Sequence, residues 1–550
     1  LPIFFLNSRV YICRFHLCYV PSDDMLSIVL IVTTTILFGL LYLSQYKFNY
    51  WKKKKVPYAK PIPLLGNYGN YITFREMVGT AVDKLCQQFP NEPYFGAYYG
   101  TEPTLIVKDP AMIKLVMNKD FYYFNGREVT NYCNKEATTQ NMFFNGGDMW
   151  KVVRQNLTPL FSTGKMKNMF YLVEKCAKQF ESLLDTVVEK NKDGLEARLL
   201  AARFTMESIG NTVFGVDTHT MEEPHNVNNP FVVIGTTFFN NSLVRGFKLI
   251  LRAVWPAVFY AAGFQVFPDS LGKFFTGLLK DVFKSRDYKP SGRNDFIDLL
   301  LNLKQNKYLV GESISSLKTE NEEKAQLEVT DDLLISQCVM MFAAGYETSA
   351  TTQGFTLFEM AKNKEAQKRA HAEVDEFLKR HNNRVTYDCM TEMPYLDACI
   401  EETLRLYPVL SVITREVAED YTFPSGLKIE QGIRVHIPVW HVHRNPDFFP
   451  DPEQYKPERF LPENKDHIKS YTVFNFGEGQ RSCIGKRFGK MQVLAGLVTF
   501  LKKYSVELAE DMPLKIDFEP VAIVTQPVQN INLKFTPREG WEQRVYNKLD

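Results

Sequence analysis

The sequence predicts a mainly α-helical domain with small β-sheets, carried behind one N-terminal transmembrane helix. Three observations predict this class. Helical apolar periodicity dominates from 150 to 406. Short alternating or apolar runs, punctuated by Gly and Pro, lie before and after that stretch. No charged residue stands between Met25 and Tyr46.

The totals narrow the function. The chain has 550 residues, 45% of them hydrophobic and 23% charged, with a net charge of +2. It contains no long basic block, so nothing points to nucleic acid as a partner. Its nine cysteines include no CxxC pair. That excludes a disulfide framework and a Cys-rich zinc site, and it suits a reducing compartment where one thiolate can stay free.

Along the chain, the uncharged run of 22 residues from Met25 to Tyr46 makes a helix of about 33 Å, enough for a hydrocarbon core of about 30 Å. Asp23 and Asp24 precede it, and Lys47 and Lys52 to Lys55 follow it. Positive charge on the C-terminal side places the rest of the chain in the cytosol. The chain opens on Leu1, and residues 1–24 are expected to be a non-native leader or a luminal tail, with Met25 as the start. Residues 25–46 form the anchor and 47–67 a basic, proline-containing hinge. Residues 68–550 form one domain with no interior linker. Tyr94–Tyr99 and Thr104–Val107 form a hairpin, and a helix starts at Asp109-Pro110. The stretch 285–330 is rich in Lys, Glu, Asn and Ser and is expected to be an exposed connection. Short strands fit 412–416, 421–436 and the tail from 504 to 535.

Four constellations carry chemistry. In the run from Phe476 to Gly485, glycines 477, 479 and 485 bracket Cys483, with Arg481 two residues before it. Glycines let a loop approach a flat cofactor, arginine pairs with a carboxylate, and a sheltered thiolate is an axial ligand for haem iron. In the segment Thr330 to Lys362, Thr330 caps a buried helix and Asp331 and Asp332 face its positive end. Its middle is Ala344-Gly345-Tyr346-Glu347-Thr348-Ser349. Gly345 removes bulk, Thr348 can bond back to the carbonyl one turn earlier, and Glu347 can supply protons. Glu402 and Arg405 share a helix face at i,i+3, but Glu401 also reaches Arg405 at i,i+4, and spacing does not choose between them. Trp150 and Arg154 share a face, so an indole N–H and a guanidinium can meet one anion.

These motifs, in this order, resemble the cytochrome P450 family. Phe-x-x-Gly-x-Arg-x-Cys-x-Gly is similar to its haem signature, and Ala-Gly-x-Glu-Thr to its oxygen-activation motif. Pro457-Glu458-Arg459-Phe460 resembles its second arginine motif. The stretch from Cys483 to Gln492 looks like insect microsomal members of the detoxifying type. Gln480 departs from them, standing where they usually carry proline. The resemblance implies haem b bound between the helix of Gly345 and Thr348 and the loop of Phe476, Arg481 and Cys483, with Cys483 on the iron. It implies propionate contacts from Trp150, Arg154, Arg415 and Arg481, with Arg127 as a further candidate. Glu402, Arg405 and Arg459 become a network behind the cysteine. The implied reaction inserts one oxygen atom from O2 into lipophilic small molecules, foreign or endogenous, with electrons from NADPH through cytochrome P450 reductase and with cytochrome b5 as a further candidate partner. The rival readings are a haem-thiolate isomerase or dehydratase, which needs no proton relay, and a non-catalytic haem-binding protein. Lys486, Arg487 and Lys490, joined by Lys151, Lys165 and Lys167, are expected to dock the acidic reductase. Segments 125–145, with Phe143 and Phe144, and 231–262, with Phe238 and Phe239, are expected to wall the substrate site. The apolar 231–262 stretch is expected to dip into the bilayer.

Overall fold

The computed structural model describes residues 23–222, 226–319 and 321–546. Residues 1–22, which hold almost all of the expected leader, lie outside the described residues. The expected anchor forms helix α1 (Asp23–Lys47), and among the described residues one helix is long and apolar enough to cross a membrane. Its end is packed into the domain. Ser44 is buried and its Oγ accepts the Leu64 N–H at 3.1 Å. A short helix α2 (Tyr50–Lys54) follows. Its Trp51 is wholly buried and donates Nε1–H to Ala97 O at 2.9 Å. Gly96 leaves the room: a Cβ there would sit 2.4 Å from the indole. The basic end of the expected hinge is therefore a docked helix, because one large aromatic outweighs its charged neighbours.

The expected hairpin is strands β1 (Tyr94–Tyr99) and β2 (Glu102–Val107). The short helix after it is capped as its sequence predicts, Asp109 Oδ2 accepting the Met112 N–H at 2.9 Å. Strand β2 pairs in parallel with Arg434–Ile437, which pairs antiparallel with Ile413–Glu416, giving a four-stranded mixed sheet. The tail strands Tyr504–Leu508 and Asn532–Pro537 form a second sheet with Leu195–Glu196.

The helical body is built around the long helix Asp331–Lys362. In chain order the helices used below are α3 (Gly147–Leu157), α4 (Thr163–Lys190) and α5 (Ala197–Ile209). Then come α6 (Pro230–Phe238), α7 (Leu243–Val254), the long helix itself as α8, α9 (Pro394–Leu406) and α10 (Lys486–Leu501). Helix α8 packs on α5, α9 and α10, and its second half is buried nearly all round. Thr330 caps it by accepting the Leu333 N–H at 3.1 Å.

The stretch 285–330 is largely exposed outside one helix, as expected, and it also carries ordered elements. It builds a helix, Phe296–Lys304, and a hairpin of Tyr308–Glu312 with Lys324–Glu328. The hairpin lies on α3, where Lys151 Nζ donates to Ser313 O and Ser316 Oγ, and Asp148 Oδ1 accepts from Ser313 Oγ and the Ile314 N–H. Its polar composition describes the outer face; the inner face is fixed by hydrogen bonds to α3.

Candidate active site

The cysteine loop is held by its own backbone. The Cys483 N–H donates to Phe476 O at 2.8 Å, closing the loop on itself. Gly477 and Gly479 both have positive φ, 69° and 68°. A Cβ on Gly479 would also lie 2.0 Å from Met117 O, so no other residue fits there. Gln480 sits inside the 3₁₀ turn Gly479–Arg481 that leads to the cysteine. Cys483 is exposed, whereas the six other described cysteines are buried. Yet burial pushes its thiol pKa up, against the Gly485 backbone, Arg154 and Lys486, which pull it down. A sulfur that is both accessible and surrounded by protein faces an internal space rather than bulk solvent. A cation or metal bound there would favour the thiolate.

Behind the loop the tertiary structure chooses between the two glutamates. Arg405 is bidentate to Glu402, Nε to Oε2 at 2.7 Å and Nη2 to Oε1 at 2.8 Å, and neither side chain is exposed. Arg459 Nε lies 3.4 Å from Glu402 Oε1, and the Lys456 N–H donates to the same oxygen at 2.9 Å. Glu401 turns the other way. It takes Lys490 Nζ at 2.6 Å and Asn475 Nδ2 at 2.6 Å. Burial opposes that charge, but Lys490 and Asn475 hold its carboxyl below the usual range. The sequence reading missed His443. It is fully buried, donating Nδ1–H to Arg405 O at 3.1 Å and accepting the Phe474 N–H on Nε2 at 2.8 Å. One ring thus ties the Glu402–Arg405 pair to the start of the cysteine loop. Burial and Arg405 drive its pKa down to about 3, so it stays neutral. No motif signals it; only its position between two backbones does.

Arg127, Arg415 and Arg481 lie close enough that Arg127 disfavours the charge of Arg415, and both disfavour that of Arg481. Burial, then Arg127, push Arg415 down to about 9. Burial, then Arg127 and Arg415, push Arg481 well below its usual value. Arg481 stacks over Trp150 at 4.7 Å and donates Nη2–H to Asn125 O and Asn145 O at 2.5 Å each. Arg154 donates to Ser482 O at 2.8 Å, next to the cysteine. The Nε of Arg415 and of Arg481 are buried without a partner, and no carboxylate forms an ion pair with any of the four arginines among the described residues. Uncompensated buried cations are costly. A set of guanidinium donors beside an accessible thiol fits a flat iron cofactor that carries carboxylates.

The α8 face holds the polar pair. Thr348 Oγ1 donates to Ala344 O at 2.5 Å, as its spacing predicts. Ala344 is exposed although the helix on either side is buried, so Ala344 and Thr348 line the open side. A Cβ on Gly345 would instead lie 3.0 Å from Ile209 Cδ1 and 3.7 Å from Phe488, so this glycine serves helix packing. Glu347 points away from Thr348's carbonyl partner. Its Oε1 accepts from Arg198 Nη1 and Gln526 Nε2 at 2.8 Å each, and from Thr351 Oγ1 at 3.1 Å. Neither Arg198 nor Gln526 belongs to a motif, and no spacing rule would find them.

The expected docking patch is smaller than predicted. Lys486 and Arg487 are exposed, as are Lys165 and Lys167. Lys490 is engaged with Asp397 and Glu401, and Lys151 with the hairpin on α3. Among the expected wall residues, Phe143 lies under Arg127 at 4.3 Å and Phe144 under Arg252 at 5.0 Å. Phe238 packs on Phe267, and Phe239 lies 5.9 Å from Tyr346 of α8.

An accessible cysteine thiol on a glycine loop, a helix with a threonine on its less buried side, and buried guanidinium groups without carboxylate partners together fit the class of haem-thiolate proteins. The family model for cytochrome P450 matches residues 56–535. The chain is 33% identical to cytochrome P450 6B2 of Helicoverpa armigera over 92% of its own length and 98% of that protein's. It is 33% identical to cytochrome P450 6k1 of Blattella germanica, covering 92% and 96%. It is 32% identical to cytochrome P450 6a2 of Drosophila melanogaster, covering 90% and 96%. This chain belongs to the cytochrome P450 family and is similar to insect members. It is a haem-dependent monooxygenase.

Proposed function

We propose that this P450 is anchored in the endoplasmic reticulum with its catalytic domain in the cytosol, and that it oxygenates lipophilic small molecules with electrons from NADPH passed on by a separate reductase. One observation carries the membrane part. The β1–β2 turn touches both the anchor end and the apolar α7 region. Lys47 pairs with Glu102 at 2.5 Å on one side of the turn. On the other side Trp255 Nε1 donates to Thr101 Oγ1 at 2.8 Å, and a Cβ on Gly100 would press on Val254. Leu243, Val244 and Phe247 on α7 and Val258 beyond it are exposed, 54–70% each. An exposed apolar face this close to the anchor is best covered by the same bilayer. It gives lipophilic substrates a dry entrance next to 231–262.

The bound haem supplies the iron on which O2 is activated. The residues named above would do the rest. Cys483 would ligate the iron, and Trp150, Arg154, Arg415 and Arg481 would hold the cofactor's carboxylates. Thr348 would hold a proton at its hydroxyl on the open side of α8, and Glu347 would be the acid that resupplies it. The fixed Glu402–Arg405–Arg459 network and His443 keep the loop carrying Cys483 from moving.

The test is a reduced, CO-bound difference spectrum of the full-length protein, followed by NADPH consumption with reductase and a lipophilic probe. A thiolate-type Soret band, probe oxidation and retention of the protein in the vesicle fraction are expected. A band typical of imidazole-ligated haem would overturn the Cys483 assignment. Redox-neutral rearrangement or dehydration of an organic peroxide probe without NADPH use would replace the monooxygenase reading by the isomerase one.

A further inference from the structure

We infer that Gln526 is a positioning residue that couples the link between α6 and α7 to the Glu347 carboxylate. The inference rests on the reading of Glu347 as the relay acid. Gln526 lies in the tail segment after Phe518 and is 6% exposed. Its backbone is clamped. The Thr525 N–H donates to Val409 O at 3.0 Å, Thr525 Oγ1 donates to Pro408 O at 2.6 Å, and Gln526 O accepts the Glu519 N–H at 2.9 Å. The side chain bridges two elements that are otherwise far apart in the chain. Nε2 donates to Glu347 Oε1 at 2.8 Å, and Oε1 accepts from Asn241 Nδ2 at 2.8 Å. The direction of this chain is fixed by chemistry. An ionised carboxylate only accepts, so the amide nitrogen must face Glu347 and the amide oxygen must face Asn241.

Asn241 belongs to the four-residue link 239–242 between α6 and α7. Phe239 of the same link rests on Tyr346, the neighbour of Glu347. One residue past Ser242, α7 begins with the exposed Leu243 and Val244. The segment that would meet an entering lipophile is therefore two hydrogen bonds away from the acid. When the link moves, Asn241 leaves and Gln526 Oε1 loses its donor. A buried amide oxygen without a donor is unfavourable, so the side chain turns to find another partner. Glu347 Oε1 then keeps Arg198 and Thr351 alone, and its carboxylate shifts. The acid is in its relay position when the link is closed and displaced when it is open. Proton delivery is thus tied to a closed site, where water is excluded and oxygen is not wasted as peroxide.

The experiment uses the full-length, haem-loaded protein in phospholipid vesicles with three variants, Asn241→Leu, Gln526→Leu and Glu347→Gln. The carboxylate infrared band that Glu347→Gln removes is assigned to Glu347. That band is expected to move in the same direction in Asn241→Leu and Gln526→Leu, with no further move in the double variant. Hydrogen peroxide released per NADPH consumed should rise roughly tenfold in both, the scale of one hydrogen bond to a charged group. Asn241 is partly exposed, so its variant retains the test if Gln526→Leu fails to fold. A Glu347 band that stays in place in Asn241→Leu overturns the coupling. Unchanged peroxide release in Glu347→Gln overturns the relay reading instead, and the band then decides the coupling by itself.

Discussion

Two buried glutamates, Glu402 and Glu347, are each bound by an arginine, and they are built differently. Glu402 uses both oxygens: Arg405 is bidentate, with Arg459 and the Lys456 N–H added on Oε1. Glu347 has its three donors gathered on Oε1. Its partners also come from separate regions, namely α5, the tail and α8 itself. Glu402's partners lie in α9 and the segment 456–459. The saturated pair has no direction in which to move without losing a bond, so it is a fixed support. The one-sided cluster can trade a donor, which suits a group that must pass a proton. Burial and an arginine partner do not distinguish structure from chemistry; the distribution of donors does.

The largest effect expected from this contrast is at Glu402. Glu402→Ala leaves Arg405 buried without a counter-charge and should cost about 3–5 kcal/mol. Thermal melts of apo and haem-loaded protein should both fall. A melt within a degree of the parent would remove the support role.

The guanidinium cluster should respond with the opposite sign. Arg415→Leu is expected to weaken haem retention yet raise apoprotein stability, because it deletes a buried cation that repels Arg127. Burial, then Arg127, disfavour the charged form of Arg415, yet a guanidinium keeps its proton, so the strain appears as lost apoprotein stability rather than as a titration. Haem titration and apoprotein melts, measured together, check both signs; a fall in apoprotein stability would contradict the account.

His443 gives a smaller, acid-side effect. Its folded pKa of about 3 lies below the unfolded 6.5. Above 6.5 its contribution is complete. As pH falls from 6.5 toward 3, the unfolded chain takes up a proton that the folded chain refuses, and stability is lost. His443→Asn should lower stability at pH 7 and flatten that acid slope. Denaturation midpoints from pH 7 to pH 4 measure it, and an unaltered slope would rule His443 out as its source.

The smallest effect belongs to the surface. Reversing Lys486 and Arg487 to Glu should slow reductase-driven turnover severalfold at low salt through the encounter rate, with peroxide-driven turnover intact. Reversing Lys490 should instead destabilise the protein, since Lys490 joins Asp397 and Glu401. Equal losses in both assays for the exposed pair would argue against docking there.

Much of the frame was legible because its signals are local. The Thr330 cap, the β1–β2 hairpin, the Asp109 start and the Thr348 back-bond each depend on a few neighbouring residues. The stretch 285–330 was read only in part, because its exposed polar face says nothing of the few bonds it makes to α3, a helix distant in sequence. Lys490 looked free because charge alone says nothing of what packs over it.

The sequence by itself determined the family, the loop glycines that Cys483 requires, and the residue types of each cluster. Those follow from backbone sterics and side-chain chemistry at short range. The tertiary structure alone decided that Glu402 rather than Glu401 meets Arg405, that Trp51 docks the short helix α2 against the sheet, and that Arg198 and Gln526 hold Glu347. Each of these is a contact between segments far apart in the chain. Such contacts are set by how whole elements fill space, and no spacing pattern encodes them.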